Sequence, residues 1–351
     1  MTKEICISNK KDILYFLKTK SKKRIQNLFV EANTLSEKYR KNKVHFRGLI
    51  EFSNVCEKNC LYCGLRRDLE IDRYTMTKEE ILNAAKFCLD NGYGSLVIQS
   101  GEINTQKNLY FLVDVISTIK KEYNLQMTLS LGEMSKTSLQ KLFDAGGRRY
   151  LLRIETSNEK LYKKLHPNDD KHLFQNRLNT LKNLKSIGYQ VGTGIMIGLP
   201  YQTYNDLAND LLFFKELNID MLGMGPYVPH PKTPLYKIKP KLKDAFNLSL
   251  KMYALARLFL KDVNIAAPTA LQVFDKKGRE KALTSGANIL MPIVTPTNLR
   301  KNYLIYPDKP CIEDTKEKCF NCLNARLRSI NKEMGKNEFG DSIHYFKRQK
   351  K

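Results

Sequence analysis

The chain has 351 residues, 42% hydrophobic and 27% charged, which is enough to bury a sizeable core as one large α/β barrel or two smaller domains. It carries a formal net charge of +24, but the lysines are scattered over helical faces such as "TLKNLKSIGY", with no nucleic-acid-binding motif beside them, so nucleic acid is not an expected partner. No apolar run is long enough for a membrane span, and the start "MTKEICISNKKDILYFLKTK" has no signal-like apolar core, so the expectation is a cytoplasmic protein that does not engage a membrane.

In chain order, residues 1–44 read as a helical extension. Eight β-rich runs follow: "HFRGLIEF" (45–52), "SLVIQS" (95–100), "QMTLSL" (126–131), "RYLLRIE" (149–155), "QVGTGIMIG" (190–198), "DMLGMGP" (220–226), "VNIAAP" (263–268) and "GANILMP" (286–292). Helical patterns separate most of them, for example "TKEEILNAAKFCLDNG", where Thr77 and Glu80 make a capping box and Gly92 marks the end. Alternating strands and helices imply a parallel sheet, and eight units imply a closed (β/α)8 TIM-type barrel over 45–300, with a doubly wound open sheet as the alternative. Residues 301–351 form a C-terminal segment that holds a second group of cysteines, and its end, after about residue 325, reads as a solvated basic extension.

The cysteines fall at positions 6, 56, 60, 63, 88, 311, 319 and 322, and six of the eight sit in two tight groups. In a reducing compartment that pattern favours metal over disulfides. Cys56, Cys60 and Cys63 follow the first strand and would lie at the catalytic face of a barrel. Thiolates favour zinc, copper(I) or iron-sulfur clusters, and both a structural zinc and a four-iron cluster normally take four ligands. Three thiols therefore point to a cluster with one iron left open. The alternative, a zinc site completed by a histidine, lacks a histidine on the 56–63 loop.

The C-x3-C-x2-C spacing followed by Gly64 resembles the radical S-adenosylmethionine superfamily. The resemblance implies a 4Fe-4S cluster on Cys56, Cys60 and Cys63 and reductive cleavage of S-adenosylmethionine to a 5'-deoxyadenosyl radical. Further strand ends support it. "QSGE" is similar to the superfamily motif that meets the cofactor's ammonium, which implies that role for Gln99, Gly101 and Glu102; the resemblance likewise implies cofactor contacts from Ser130 in "TLSLGE" and, near the adenine, Gly194 in "GTGIMIGLP". "LLRIET" places Arg153 and Glu155 among apolar neighbours, either as an internal salt bridge or as ligand contacts. In the resembling proteins that glutamate meets the cofactor, the arginine anchors an anionic substrate, and a downstream arginine matching Arg177 pairs with the cofactor carboxylate.

Segments recurring in order over roughly 40–325, among them "GMGPYVPHPKTPL", "GANILMPIVTP" and "YLIYPDKPC", resemble the HydE family of FeFe-hydrogenase maturases. This implies assembly of the di-iron subcluster of the hydrogenase active site (the H-cluster), a small sulfur- and iron-containing substrate, companion maturases HydG and HydF, and a reductant such as ferredoxin or flavodoxin. Cys311, Cys319 and Cys322 are placed as are family cysteines that hold an accessory 2Fe-2S or 4Fe-4S cluster, with a zinc knuckle as the alternative. Substrate contacts are expected from Arg153, Thr269, Tyr303 and Tyr306. Two positions depart from the family pattern: Pro268, where a second threonine is common, and Tyr201, where a glycine is usual. The competing readings are another radical enzyme of the biotin synthase or methylornithine synthase type and a nonenzymatic iron-sulfur carrier. Cys88 and the dispersed histidines are read as structural.

Overall fold

The first β-rich run becomes the longest strand, the one from which the rest of the molecule is built: β1, Lys43–Ser53, is buried along nearly its whole length. The computed structural model describes residues 5–350. Parallel pairing then runs through β2 (Ser95–Ser100), β3 (Gln126–Ser130), β4 (Gly147–Leu151), β5 (Gln190–Thr193, resumed at Met196–Ile197), β6 (Met221–Leu222, resumed at Gly225–Pro226) and β7 (Asn264–Ile265). The eighth strand, β8 (Ile289–Leu290), pairs with β1 through His45↔Ile289 and Phe46↔Leu290. A bridge at Ala266↔Ile289 joins β7 to β8 and closes the ring. The result is an eight-stranded parallel (β/α)8 barrel, as the strand-helix alternation predicts.

Pairing places like with like around the interior. Arg47 and Ser95, Leu49 and Val97, and Glu51 and Gln99 are partners on β1 and β2, and Thr128 pairs with Arg149 on β3 and β4. The barrel is therefore layered: a charged floor with Arg47, Thr128, Arg149 and Asn264, an apolar middle with Leu49, Leu151, Ala266 and Met291, and a polar top with Glu51, Gln99, Ser130 and Arg153. The outer helices begin where the sequence signals them. Thr77 accepts from the Glu80 amide while the Glu80 carboxylate accepts from the Thr77 amide, completing the capping box of the helix Lys78–Asp90.

Before β1, the helices Lys10–Lys18 and Lys22–Arg40 lie against the barrel helices Tyr204–Glu216 and Ala245–Leu260. Lys251 stitches them down by donating to the carbonyls of Leu17 (3.1 Å) and Thr19 (2.7 Å), which the end of the first helix leaves open. No helix among the described residues is long and apolar enough to cross a membrane.

The reading of the tail as a solvated extension is overturned. Glu333–Met334 adds a short strand to the start of β1, and the chain then turns into the base of the barrel. Asp341 pairs with Arg149 (Nε to Oδ1, 2.9 Å) and accepts from Gln190 (2.6 Å), while the Gly340 carbonyl accepts from Arg47 (3.2 Å) and Asn264 (2.9 Å). Glu338 pairs with Lys43 and lies 3.0 Å from His45, and Arg348 forms a bidentate pair with Asp220. The segment "NEFGDS" meets charged and neutral polar side chains from four different strands. Periodicity within the tail itself carries no trace of them.

Candidate active site

At the carboxyl ends of the strands the barrel opens into a cavity of about 340 Å³. The cysteine loop leaves β1 and is tied by backbone carbonyls. Arg73 donates to the carbonyls of Asn54 (2.7 Å), Leu65 (3.0 Å) and Arg66 (2.8 Å), and Asn54 donates to Asp72 and Asn302, each at 2.7 Å. Gly64 has to be glycine, since a Cβ there would lie 2.0 Å from the Leu304 carbonyl oxygen. Gly101 is under the same constraint from the Val55 carbonyl, at 2.1 Å.

Cys56, Cys60 and Cys63 all line this cavity. The Glu102 amide donates to Cys56 Sγ (3.3 Å) and the Leu65 amide to Cys63 Sγ (3.4 Å). Burial pushes all three thiols up, Cys63 to about 12 and Cys60 further, so each loses its proton only to a strong compensating positive charge. Bound iron is such a charge. Three thiols that share one cavity are a donor set suited to an iron-sulfur cluster.

Beside the thiols lies a charge network that the sequence reading only half found. Glu102 and Arg177 are in it, but they are joined by Lys58 and Glu133, neither of which was singled out. Lys58 lies 3.0 Å from both Glu102 and Glu133, Arg177 Nε donates to Glu133 (2.7 Å), and Arg177 Nη2 is 3.7 Å from Glu102. Burial raises the Glu102 carboxyl, against the pull of Arg177 and Lys58. Burial alone would lower Lys58, and Glu102 and Glu133 more than reverse it.

Arg153 and Glu155 face each other with Nη2 and Oε2 3.1 Å apart, off the angle for a hydrogen bond, and neither atom has another hydrogen-bond partner among the described residues. Buried polar atoms left in this state fit a ligand that supplies an ammonium and a carboxylate. Glu155 is held in the left-handed region (φ 66°) by its amide bond to the Gly194 carbonyl (3.0 Å) on one side and by Asp210 on the other, whose carboxylate accepts from the Ser157 amide and hydroxyl, both 2.6 Å. Backbone strain of this kind at a cavity wall marks a side chain aimed for function.

On the far wall Gln99 donates to the Tyr303 hydroxyl (3.1 Å), and Thr269 and Tyr306 share a hydrogen bond of 2.7 Å. Pro268 lines the cavity beside Thr269, its ring against Gly225. The buried pair Glu51–Lys309 (2.6 and 2.7 Å) also reaches the cavity. Neither was singled out from the sequence: Glu51 is a charge inside an apolar strand run and could have been, whereas nothing local marks Lys309.

Ser130, Gln99, Arg153, Thr269, Tyr303 and Tyr306 thus come together at the cavity. Gly194 does not line it: a Cβ there would lie 2.0 Å from the Gly223 carbonyl, so its smallness serves contact between β5 and β6. Cys311, Cys319 and Cys322 lie outside the cavity as well. Cys311 has a left-handed backbone (φ 65°), and the neighbouring buried Cys319 and Arg279 lower its pKa, while Cys322 is exposed.

Tyr201 also adopts a left-handed backbone (φ 67°), a conformation that glycine takes without strain, while its ring packs near Leu161 and Leu165 and lies 4.8 Å from the Lys164 ammonium. Tyr201→Ala loses the ring and keeps the strain, whereas Tyr201→Gly loses the ring and relieves it. Urea unfolding should therefore find the glycine variant more stable than the alanine variant by about 1 kcal/mol.

A parallel barrel with three thiols and a charge network at its open end defines a radical S-adenosylmethionine enzyme, and the Radical SAM superfamily model matches residues 50–214. The HydE subunit of the FeFe hydrogenase maturase from Thermotoga maritima is 46% identical over 88% of this chain and 87% of its own length. The 3-methylornithine synthase of Methanosarcina acetivorans is 28% identical over 81% of this chain and 79% of its own, and the crystal structure of the methylornithine synthase PylB superposes with a TM-score of 0.81 at 25% identity, covering 94% of each chain. The chain belongs to the HydE family. Membership implies a 4Fe-4S cluster and S-adenosylmethionine, and the thiols and orphaned charges described above fit both.

Proposed function

We propose that this enzyme works in the cytoplasm with other maturases, HydG and HydF, to assemble the di-iron subcluster of the FeFe-hydrogenase active site. The observation that carries the reading is the meeting of three thiols, a carboxylate-guanidinium network and two tyrosine hydroxyls on one cavity. Cys56, Cys60 and Cys63 hold the 4Fe-4S cluster. When bound, it supplies the electron, delivered by a ferredoxin or flavodoxin, that cleaves S-adenosylmethionine to the 5'-deoxyadenosyl radical.

The protein's own groups bind and orient. Glu102 and Glu155 accept from the cofactor ammonium, Arg177 receives its carboxylate, and Gln99, Gly101 and Ser130 complete that side. Arg153, Thr269, Tyr303 and Tyr306 face a small sulfur- and iron-containing substrate. Because Gln99 donates to the Tyr303 oxygen, the tyrosine keeps its own hydrogen for an acceptor in the cavity. Leu49, Leu151 and Met224 wall the space with apolar surface and exclude water from a reactive intermediate. Cys311, Cys319 and Cys322 hold an accessory 2Fe-2S or 4Fe-4S cluster away from the chemistry. Residues 1–44, 45–300 and 301–351 form the extension, the barrel and the segment that carries this second site.

The test is anaerobic maturation of an inactive FeFe hydrogenase with HydG, HydF and the cluster-loaded protein. Hydrogen evolution should depend on adding this chain. Undiminished activation in its absence, or formation of 3-methylornithine by the protein alone, would count against the proposal.

A further inference from the structure

The cysteine loop is gripped from outside by the segment 165–172. The Leu61 amide donates to the Leu165 carbonyl (3.0 Å), Tyr62 Oη meets His166 Nε2 (3.3 Å), and the Lys58 ammonium donates to the Lys171 carbonyl. The fourth contact differs in kind: the backbone amide of Asn59 donates to a side chain, His172 Nε2, at 2.9 Å. His172 Nδ1 lies 2.6 Å from Asp169 Oδ1. The amide can only donate, so Nε2 is the unprotonated nitrogen, Nδ1 carries the hydrogen, and Asp169 receives it. The imidazole is buried while Asp169 remains half-exposed, so the pair reaches from the surface to the loop.

We propose that Asp169 and His172 are positioning residues for the cluster-binding loop: they fix the backbone one residue before Cys60 and commit the Asn59 amide hydrogen to an imidazole. This rests on the cluster reading of Cys56, Cys60 and Cys63. The physical consequence concerns the cluster's potential. An amide hydrogen or water directed at a cluster sulfur stabilises the more negative, reduced state and raises the potential, and radical cleavage of a sulfonium needs a strong reductant. An amide already bonded to nitrogen makes no such contact, and a pinned loop admits less water. Asp169 holds the imidazole in the accepting tautomer. Without it, the Nε2–H form would set two donors against each other.

The test uses the full-length protein with His172→Phe, His172→Gln and Asp169→Ala, the last at an exposed position where folding is not at risk. Three quantities are read: hydrogen exchange at the Asn59 amide in cluster-free protein, cluster release to a ferrous chelator, and the midpoint potential by EPR titration. His172→Phe keeps the volume and loses the acceptor. Its Asn59 amide should exchange faster, it should release cluster about tenfold faster, and its midpoint should move to more positive values. His172→Gln, whose amide oxygen can accept the same bond, should stay near the parent, and Asp169→Ala should fall between. Parent-like release and potential in His172→Phe would overturn the proposal, as would a glutamine variant no better than phenylalanine. If the parent takes up no cluster, the cluster reading fails, and Asn59 exchange still decides: equal exchange in parent and His172→Phe overturns the grip.

Discussion

Cys60→Ala, reconstituted with iron and sulfide, reduced and given S-adenosylmethionine under anaerobic conditions, is expected to form no 5'-deoxyadenosine above the background of cluster-free protein. Cys60 is one of three thiols on the cavity, and two remaining ligands do not hold a cluster meant for three. Cys319→Ala should remain within about twofold of the parent, because its thiol touches Cys311 and the core but no part of the cavity. The paired measurement is product yield against iron content. Equal loss in both variants would mean that the two cysteine groups have been ranked wrongly.

The second large effect lies at the other end of the barrel. Arg40, Arg47 and Arg149 are all buried around Asp341, whose carboxylate pairs with Arg149. Asp341→Ala leaves these guanidinium groups without it and should cost about 3–5 kcal/mol in urea unfolding at neutral pH. Burial works to raise the Asp341 pKa, but Arg149, Gln190 and Arg47 override it, so the folded value is lowered. Its contribution is therefore complete above the unfolded carboxyl value of about 3.9 and is lost as pH falls through the folded value. The variant's stability should lack that acid-side fall, which is the check that the loss is electrostatic.

The parts of this molecule that were readable are those whose signal is local. The C-x3-C-x2-C loop needs its ligands within eight residues, and each barrel strand announces itself by an apolar run. Strand ends were less legible. The run 149–155 reads as continuous, yet the ladder of β4 stops at Leu151 and the chain swings into the left-handed turn at Glu155. β5 likewise pauses at Gly194, where two backbones approach too closely for a side chain. Contacts assembled from distant positions left no trace. Lys58, Glu102 and Glu133 from three loops meet Arg177 from a helix, and His166 and His172, read as structural, contact the cysteine loop. The tail failed for the same reason, its partners lying on β1, β4, β5 and β7.

That stoppered base also governs traffic. With residues 338–342 seated among the floor arginines and an apolar layer above them, a molecule reaches the chamber from the thiol end and leaves by it. The residues proposed for S-adenosylmethionine and those proposed for the substrate line this one chamber, so both ligands would share its single mouth. Whichever ligand is seated first would then bar the other's path, so binding rates measured with one of them in excess should fall for the other.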